Sequence, residues 1–340
     1  MFQTEPIKFL QSLSTEWLTD FLVFVSQLGY SSFYIPVLIL ITFGINFRKG
    51  FLLIQMMLWM GLLTGLLKNL FGLPRPEDVD SAVRMLEENI PNPTPFSDMG
   101  GHGFWDLPDA EAIRIIREQP DWSYGLPSGH VSGATTFWAG LSLLFRPAAI
   151  KVAALIMIVL MPLSRMYLGR HFVADVLGGL LLATGFLALV HATFIKPGTH
   201  DRLLALVRLR PGVNLRLFVL LLVLLVAPIV LAAPNSLIEP DNAGRLFGLN
   251  AAFIVVALGG LPADEATWLR RVGRVVLTFA FYLAAAWLVG SIVDATSLPE
   301  KISWVEFPAA AIPAFFALWG GVKAGLRFKL FVPDYRSIIR

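Results

Sequence analysis

Ser164-Arg165-Met166-Tyr167-Leu168-Gly169-Arg170-His171-Phe172-Val173-Ala174-Asp175 joins two long apolar runs, residues 149–163 and 173–195. Polar groups at the rim of a membrane are costly and are kept where they have work to do. A helix starting near His171 places Asp175 four residues on, on the same face. A carboxylate there holds one ring nitrogen and leaves the other free to act as a nucleophile.

Outward from this stretch the chain is a series of apolar segments. It is 56% hydrophobic and only 15% charged, against about 25% charged in soluble domains, and its mean hydropathy is +0.68. Spans are expected over roughly 31–47, 50–68, 131–146, 149–163, 173–195, 216–233, 245–261, 274–293 and 306–322. The fold class is an all-α, polytopic transmembrane helical bundle of about nine spans. The ~10-residue alternating segments of a membrane β-barrel are absent. The chain has no cysteine, which excludes disulfides, thiolate metal sites and a cysteine nucleophile. No basic start leads into a clean apolar run with a small-residue cleavage site, so no cleavable signal peptide is expected.

Charge orients the bundle. The alternate loops containing Arg48 and Lys49, Arg146 and Lys151, the 196–216 cluster, Arg270 to Arg274 and the 323–340 tail hold 17 of the 27 Lys and Arg residues. They hold four of the 24 acidic ones, Asp201, Asp264, Glu265 and Asp334. The positive-inside rule makes that side cytoplasmic, with the N-terminus out and the C-terminus in. Residues 1–30 read as an interfacial amphipathic helix, with Phe9, Leu13, Trp17, Phe21 and Phe24 opposite Gln11, Glu16 and Asp20; a first spanning segment is the other reading. Residues 76–126 form a long extracytoplasmic loop, serving either as a lid that reads a headgroup or as a passive spacer.

Three separated pieces fall on the outer rim in this topology. They are Lys68-Asn69-Leu70-Phe71-Gly72-Leu73-Pro74-Arg75-Pro76, Gly125-Leu126-Pro127-Ser128-Gly129-His130, and the opening stretch. Each has an ordinary structural reading alone. Lys68 can snorkel, Arg75-Pro76 can stop a helix, and Ser128 can cap the next one. Together they bring three cations, a Gly-Ser turn at a helix start and two histidines to one rim. Guanidinium and ammonium groups match phosphate oxygens, and free N–H groups at a helix N-terminus favour anions. In this reading His171 attacks phosphorus, Asp175 holds its ring, and His130 protonates the leaving oxygen and then activates water. Two histidines and Asp175 are enough metal ligands on paper, but Lys68, Arg75 and Arg165 would repel a cation, so no metal and no cofactor are expected.

Lys-x6-Arg-Pro, Pro-Ser-Gly-His and Ser-Arg-x5-His-x3-Asp, in this order, resemble the three signatures of the type 2 phosphatidic acid phosphatase superfamily. The resemblance covers residues 31–195 and implies a phosphatase core there. It implies that Lys68, Arg75, Ser128, Gly129 and Arg165 bind phosphate, that His130 is the general acid, and that His171 is the nucleophile with Asp175 its partner. Ser164 stands in the signature with a less defined role. The first of the usual six core spans is missing, and residues 196–340 add a C-terminal membrane extension of about four spans. The function expected is removal of the terminal phosphate of a lipid phosphate or diphosphate. The site is expected to face the periplasm or exterior, in a bacterial inner membrane. The partners are the lipid phosphate and the bilayer, with no nucleic acid. A lipid phosphotransferase using the same site, or a lipid-binding or transport protein with a vestigial site, are the alternatives.

Overall fold

The computed structural model describes residues 1–119, 123–195, 224–232, 237–258, 261–296 and 303–334. In chain order its helices are α1 (Glu5–Ser12), α2 (Glu16–Gln27), α3 (Ser31–Ile39, continued by a π-helical turn Leu40–Ile45), α4 (Phe47–Phe71), α5 (Pro76–Val79), α6 (Ala110–Glu118), α7 (Gly129–Leu144), α8 (Ala148–Tyr167), α9 (Val173–Val190, with a π-helical turn His191–Ile195), α10 (Pro240–Leu258), α11 (Trp268–Thr296) and α12 (Ser303–Arg327). Two-residue strands β1 (Leu261–Pro262) and β2 (Pro333–Asp334) pair antiparallel.

Five helical segments among the described residues are long and apolar enough to cross a membrane, or six if the pair bent by 52° between Gln27 and Ser31 counts as one span. The chain is a helical membrane protein. The apolar runs expected at 31–47, 50–68, 149–163, 173–195, 274–293 and 306–322 fall on these segments. The run at 131–146 forms α7, whose 16 residues are short of the ~20 a span requires. The run at 245–261 forms α10, and that at 216–233 lies largely outside the described residues. Residues 5–29 form two helices rather than one. The break is at Leu13–Thr15, where the Thr15 hydroxyl accepts from the Leu18 amide at 3.3 Å and starts α2, as an N-cap does.

The chain divides into two compact units. One is Met1–Tyr34 with Leu63–Leu189, the other Ile35–Leu62 with Val190–Arg340. In the first, α7 packs on α8 around Val131, Ala134, Met157 and Met161, with Val25 of α2 and Val176 of α9 in the same cluster. The long loop is packed in place. Phe2, Ile7, Val79, Val83, Ala112 and Phe172 form one buried cluster. The Asn92 amide donates to the carbonyls of Glu77, Asp80 and Val83 at 2.9–3.1 Å, and Asp80 accepts from Thr4 at 2.8 Å and Lys8 at 2.9 Å.

In the second unit, Asn46 starts α4 by accepting from the Lys49 amide at 2.9 Å. Ile39, Phe43, Phe47, Ala252, Val256, Leu318, Val322 and Phe331 form its core. Gly244 and Gly248, one turn apart on α10, face the Phe307 and Ala311 carbonyls of α12; a Cβ at either glycine would stand 2.2 or 2.1 Å from them. This is the small-residue contact by which membrane helices pack without side chains between them.

Candidate active site

The turn between α8 and α9 is built from its own sequence. Gly169 has φ +84, the left-handed conformation that ends helices at little cost only in glycine. The Gly169 amide returns to the Met166 carbonyl and the Arg170 amide to the Arg165 carbonyl, both at 3.0 Å. That pairing closes α8 and turns the chain so that His171 follows Arg165 into the same buried region. α9 then begins with Asp175 in its first turn, accepting from the Phe172 amide at 2.9 Å. The same carboxylate oxygen lies 3.3 Å from Nδ1 of His171. Both side chains are buried, and Nε2 of His171 is left for chemistry.

Backbone bonds tie the other two pieces to this one. The Gly125 amide donates to Leu73 at 2.8 Å, and the Ser128 amide donates to the Asp175 carbonyl at 2.9 Å. The loop Leu73–Arg75 and the start of α7 are therefore held beside His171. Ser128 is the N-cap of α7, but its hydroxyl makes no capping bond. Lys68 reaches the Tyr124 carbonyl at 2.7 Å. Arg75 donates to the Ser123 carbonyl at 2.8 Å and to the Ser123 hydroxyl at 2.7 Å.

Ser128 Oγ, His130 Nε2 and Arg165 Nε are buried and have no hydrogen-bond partner within the protein. Buried polar groups are almost always paired, so each such group requires a reason. These three come from different motif pieces and each is able to donate, which suits an anion with several acceptor oxygens. Among the described residues no group of three or more His, Asp or Glu side chains is placed to hold a metal ion.

Residues 49–197 match the family model of the PAP2 superfamily. The matched stretch contains all three motif pieces from Lys68 to Asp175. Phosphatidylglycerophosphatase B of Bacillus subtilis (strain 168) is 27% identical over 175 residues, covering 49% of this chain and 70% of that protein. No solved structure matches the chain significantly.

Further side chains lie against these candidate residues that the motifs do not announce. Arg165 donates to Ser26 and pairs with Glu87 at 3.1 Å. Glu87 also accepts from the Ser26 hydroxyl at 2.8 Å and from Tyr30 at 3.0 Å. The Tyr30 ring meets the His130 ring edge-on at 4.5 Å. Arg170 pairs with Glu77 at 2.8 Å and Glu88 at 3.2 Å. Burial pushes the Glu87 carboxyl up, but Arg165, Ser26 and Tyr30 outweigh it and hold the group below its ordinary value. Arg170 was visible as a cation beside His171. Glu87 lay in a loop rich in acids, where spacing singles out none of them. Ser164 donates to the Leu22 carbonyl at 2.7 Å, which places it in the α2–α8 contact. Two acids of the long loop, Glu77 and Glu87, thus lie against Arg170 and Arg165 of the α8–α9 stretch.

Proposed function

We propose that this chain removes the terminal phosphate of a lipid phosphate or diphosphate at the extracytoplasmic leaflet, through a phosphohistidine. A membrane phosphatase acting on lipid phosphates is what the PAP2 domain and the Bacillus relative support. The observation that carries the finer reading is the set of three buried donors without partners, Ser128 Oγ, His130 Nε2 and Arg165 Nε.

In the first step Nε2 of His171 attacks phosphorus, the P–O bond to the lipid breaks, and His130 gives its proton to the leaving oxygen. Lys68, Arg75, Arg165, Ser128 and the Gly129 amide hold the phosphoryl oxygens, where fixed donors stabilise the charge of the transition state. Asp175 keeps the Nδ1 proton on His171 and balances the charge it gains. In the second step water attacks the phosphohistidine, His130 takes the water proton, and the P–N bond breaks to release inorganic phosphate. A cavity of about 490 Å³ lined by Arg75, Arg170, Glu77, Thr94 and Phe96 offers room for the headgroup beside the two guanidiniums. No step is assigned to a metal.

The test is phosphate release by the purified protein from phosphatidate, phosphatidylglycerophosphate, undecaprenyl diphosphate and sphingoid phosphates, with and without chelator. His171→Ala is expected to abolish release and any acid-labile phosphoenzyme, and His130→Ala, which removes a proton donor needed in the first step and a base needed in the second, to abolish release as well. Transfer of label to an added alcohol in excess of free phosphate would favour a phosphotransferase. Strong inhibition by chelator would sink the metal-free scheme. The absence of cysteine makes Ser97→Cys, in the exposed part of the loop, a clean topology probe. Labelling of intact cells by an impermeant thiol reagent supports an exterior or periplasmic site, and labelling only after lysis overturns it.

A further inference from the structure

Midway along the loop 76–126 a turn shows apolar groups to the outside. In the stretch Gly101-His102-Gly103-Phe104-Trp105-Asp106-Leu107-Pro108, Phe104, Trp105 and Leu107 are 58%, 79% and 55% exposed. The two aromatic rings meet edge-on at 4.7 Å. The phosphate chemistry uses none of the three. The backbone of the turn is closed on itself, so it does not fold them away. The Asp109 amide donates to the Met99 carbonyl at 2.9 Å and closes the neck. The Gly103 amide donates to the Asp106 carboxylate at 2.7 Å, which bonds the acid of the tip within the turn. A Cβ on Gly101 would stand 2.4 Å from the Asp106 carbonyl oxygen.

Two sets of contacts fix the height of this turn against the spans. On one side the Gly101 amide donates to the Phe2 carbonyl at 2.8 Å, and the Gln3 side chain donates to the His102 carbonyl at 3.0 Å. The Phe2 ring meets the Phe172 ring edge-on at 5.5 Å, and the Ala174 amide, in the first turn of α9, donates to the Met1 carbonyl at 3.3 Å. On the other side Arg117 of α6 donates to the carbonyls of Phe71 at 2.7 Å and Gly72 at 3.0 Å, at the end of α4. Leu107 shares a hollow with Leu73, just past that end, and with Ala110, Ile113 and Arg117 of α6. Leu70 and Phe71 at the end of α4 are themselves exposed, on a segment apolar enough to cross a membrane. The apolar tip is therefore tied to the ends of two spans, at the rim that carries His171. Trp and other amphipathic aromatic groups concentrate at that level, where an apolar ring meets lipid and polar neighbours stay wet.

We propose that Phe104, Trp105 and Leu107 anchor the long loop in the headgroup region of the bilayer leaflet at this rim. Continuity with the lipid-facing end of α4 selects the bilayer as the occupant. The three side chains expose roughly 400 Å² together, about half of the ~800 Å² that each partner gives to a stable protein interface. The anchor holds to lipid the same loop that sets Glu87 on Arg165 and Glu77 on Arg170.

The chain has no cysteine, so Trp105→Cys carries a single nitroxide label. The full-length labelled protein is placed in vesicles of phosphatidylcholine and phosphatidylglycerol and its collisions are read by electron paramagnetic resonance. The ratio of collisions with oxygen, which concentrates in lipid, to collisions with a water-soluble nickel chelate is expected to be several-fold above that of the free nitroxide in water. Leu107→Cys is expected to give the same result. Should the labelled variants fail to fold, Trp105→Phe decides without a label. It is expected to lower the share of tryptophan fluorescence that brominated phosphatidylcholine quenches. A ratio equal to that of the free nitroxide places the tip in water, loss of collisions with both agents places it under protein, and dipolar broadening between labels places it against a second copy. Each of these results, or an unchanged quenched share in Trp105→Phe, overturns the proposal.

Discussion

His171 is buried, and burial together with the cations Arg75, Lys68 and Arg165 pushes its imidazole well below the ordinary value. The folded protein thus keeps this imidazole, the proposed nucleophile, neutral near pH 6.5, where an exposed histidine would be about half protonated. Phosphate release is expected to show no acid limb centred near that pH when kcat/KM is followed from pH 8 to 5. The same shift has a stability consequence of definite sign. As pH falls through the unfolded value, the unfolded chain takes up a proton here and the folded chain does not, so stability declines below about pH 6.5. His171→Gln is expected to flatten that decline in thermal unfolding measured in detergent. Glu87 acts at the same scale. Its side chain is 8% exposed and that of Arg165 2%, so screening by water is slight. Glu87→Gln leaves a buried guanidinium without its counter-charge and is expected to cost about 3 kcal/mol of stability. It is also expected to raise KM, with Glu87→Asp restoring part of the activity.

At the scale of elements, two glycines set how the helices meet the site. A Cβ on Gly29, in the break between α2 and α3, would stand 2.5 Å from Cδ2 of His130 and 3.1 Å from the end of Met161. Gly29→Ala is expected to displace His130 and to reduce turnover more than substrate affinity, as steady-state kinetics would report. Gly169→Ala puts a side chain at φ +84, 2.6 Å from the Arg84 carbonyl. The backbone conformation alone costs ~1–2 kcal/mol, and a lower melting temperature should accompany loss of activity. The sequence shows Gly169 only as one residue of the stretch between two apolar runs. That its missing side chain also admits the Arg84 carbonyl of the long loop depends on contacts more than eighty residues apart.

For the molecule as a whole, the extension after residue 195 packs with an early part of the chain. Phe43 and Phe47 share a core with Ala252, Val256, Leu318, Val322 and Phe331, and Phe51 stacks on Phe253 with ring centroids 4.2 Å apart. Asp264 accepts from the Asn46 side chain and the Phe47 amide, both at 2.7 Å. Removing residues 196–340 strips these partners from Ile35–Leu62. The truncated chain is expected to accumulate poorly in membranes and to lack activity, even though it retains every motif residue. A truncated chain with full activity would show that the extension is dispensable for folding.

The sequence by itself determined the class of fold and the three motif pieces. An apolar run of span length needs no tertiary context to be recognised, and the spacings Lys68 to Arg75, Ser128 to His130 and Arg165 to Asp175 are local. Tertiary structure decided what those spacings could not carry. It seated Glu87 on Arg165, set Tyr30 against His130, gave Ser164 to the Leu22 carbonyl, and split residues 5–29 into two helices. A carboxylate in a loop rich in Asp and Glu carries no periodicity, and its partner is chosen by the packing of distant elements. Spacing reports a site when its residues share a turn of helix, and only the folded chain reports it when they do not.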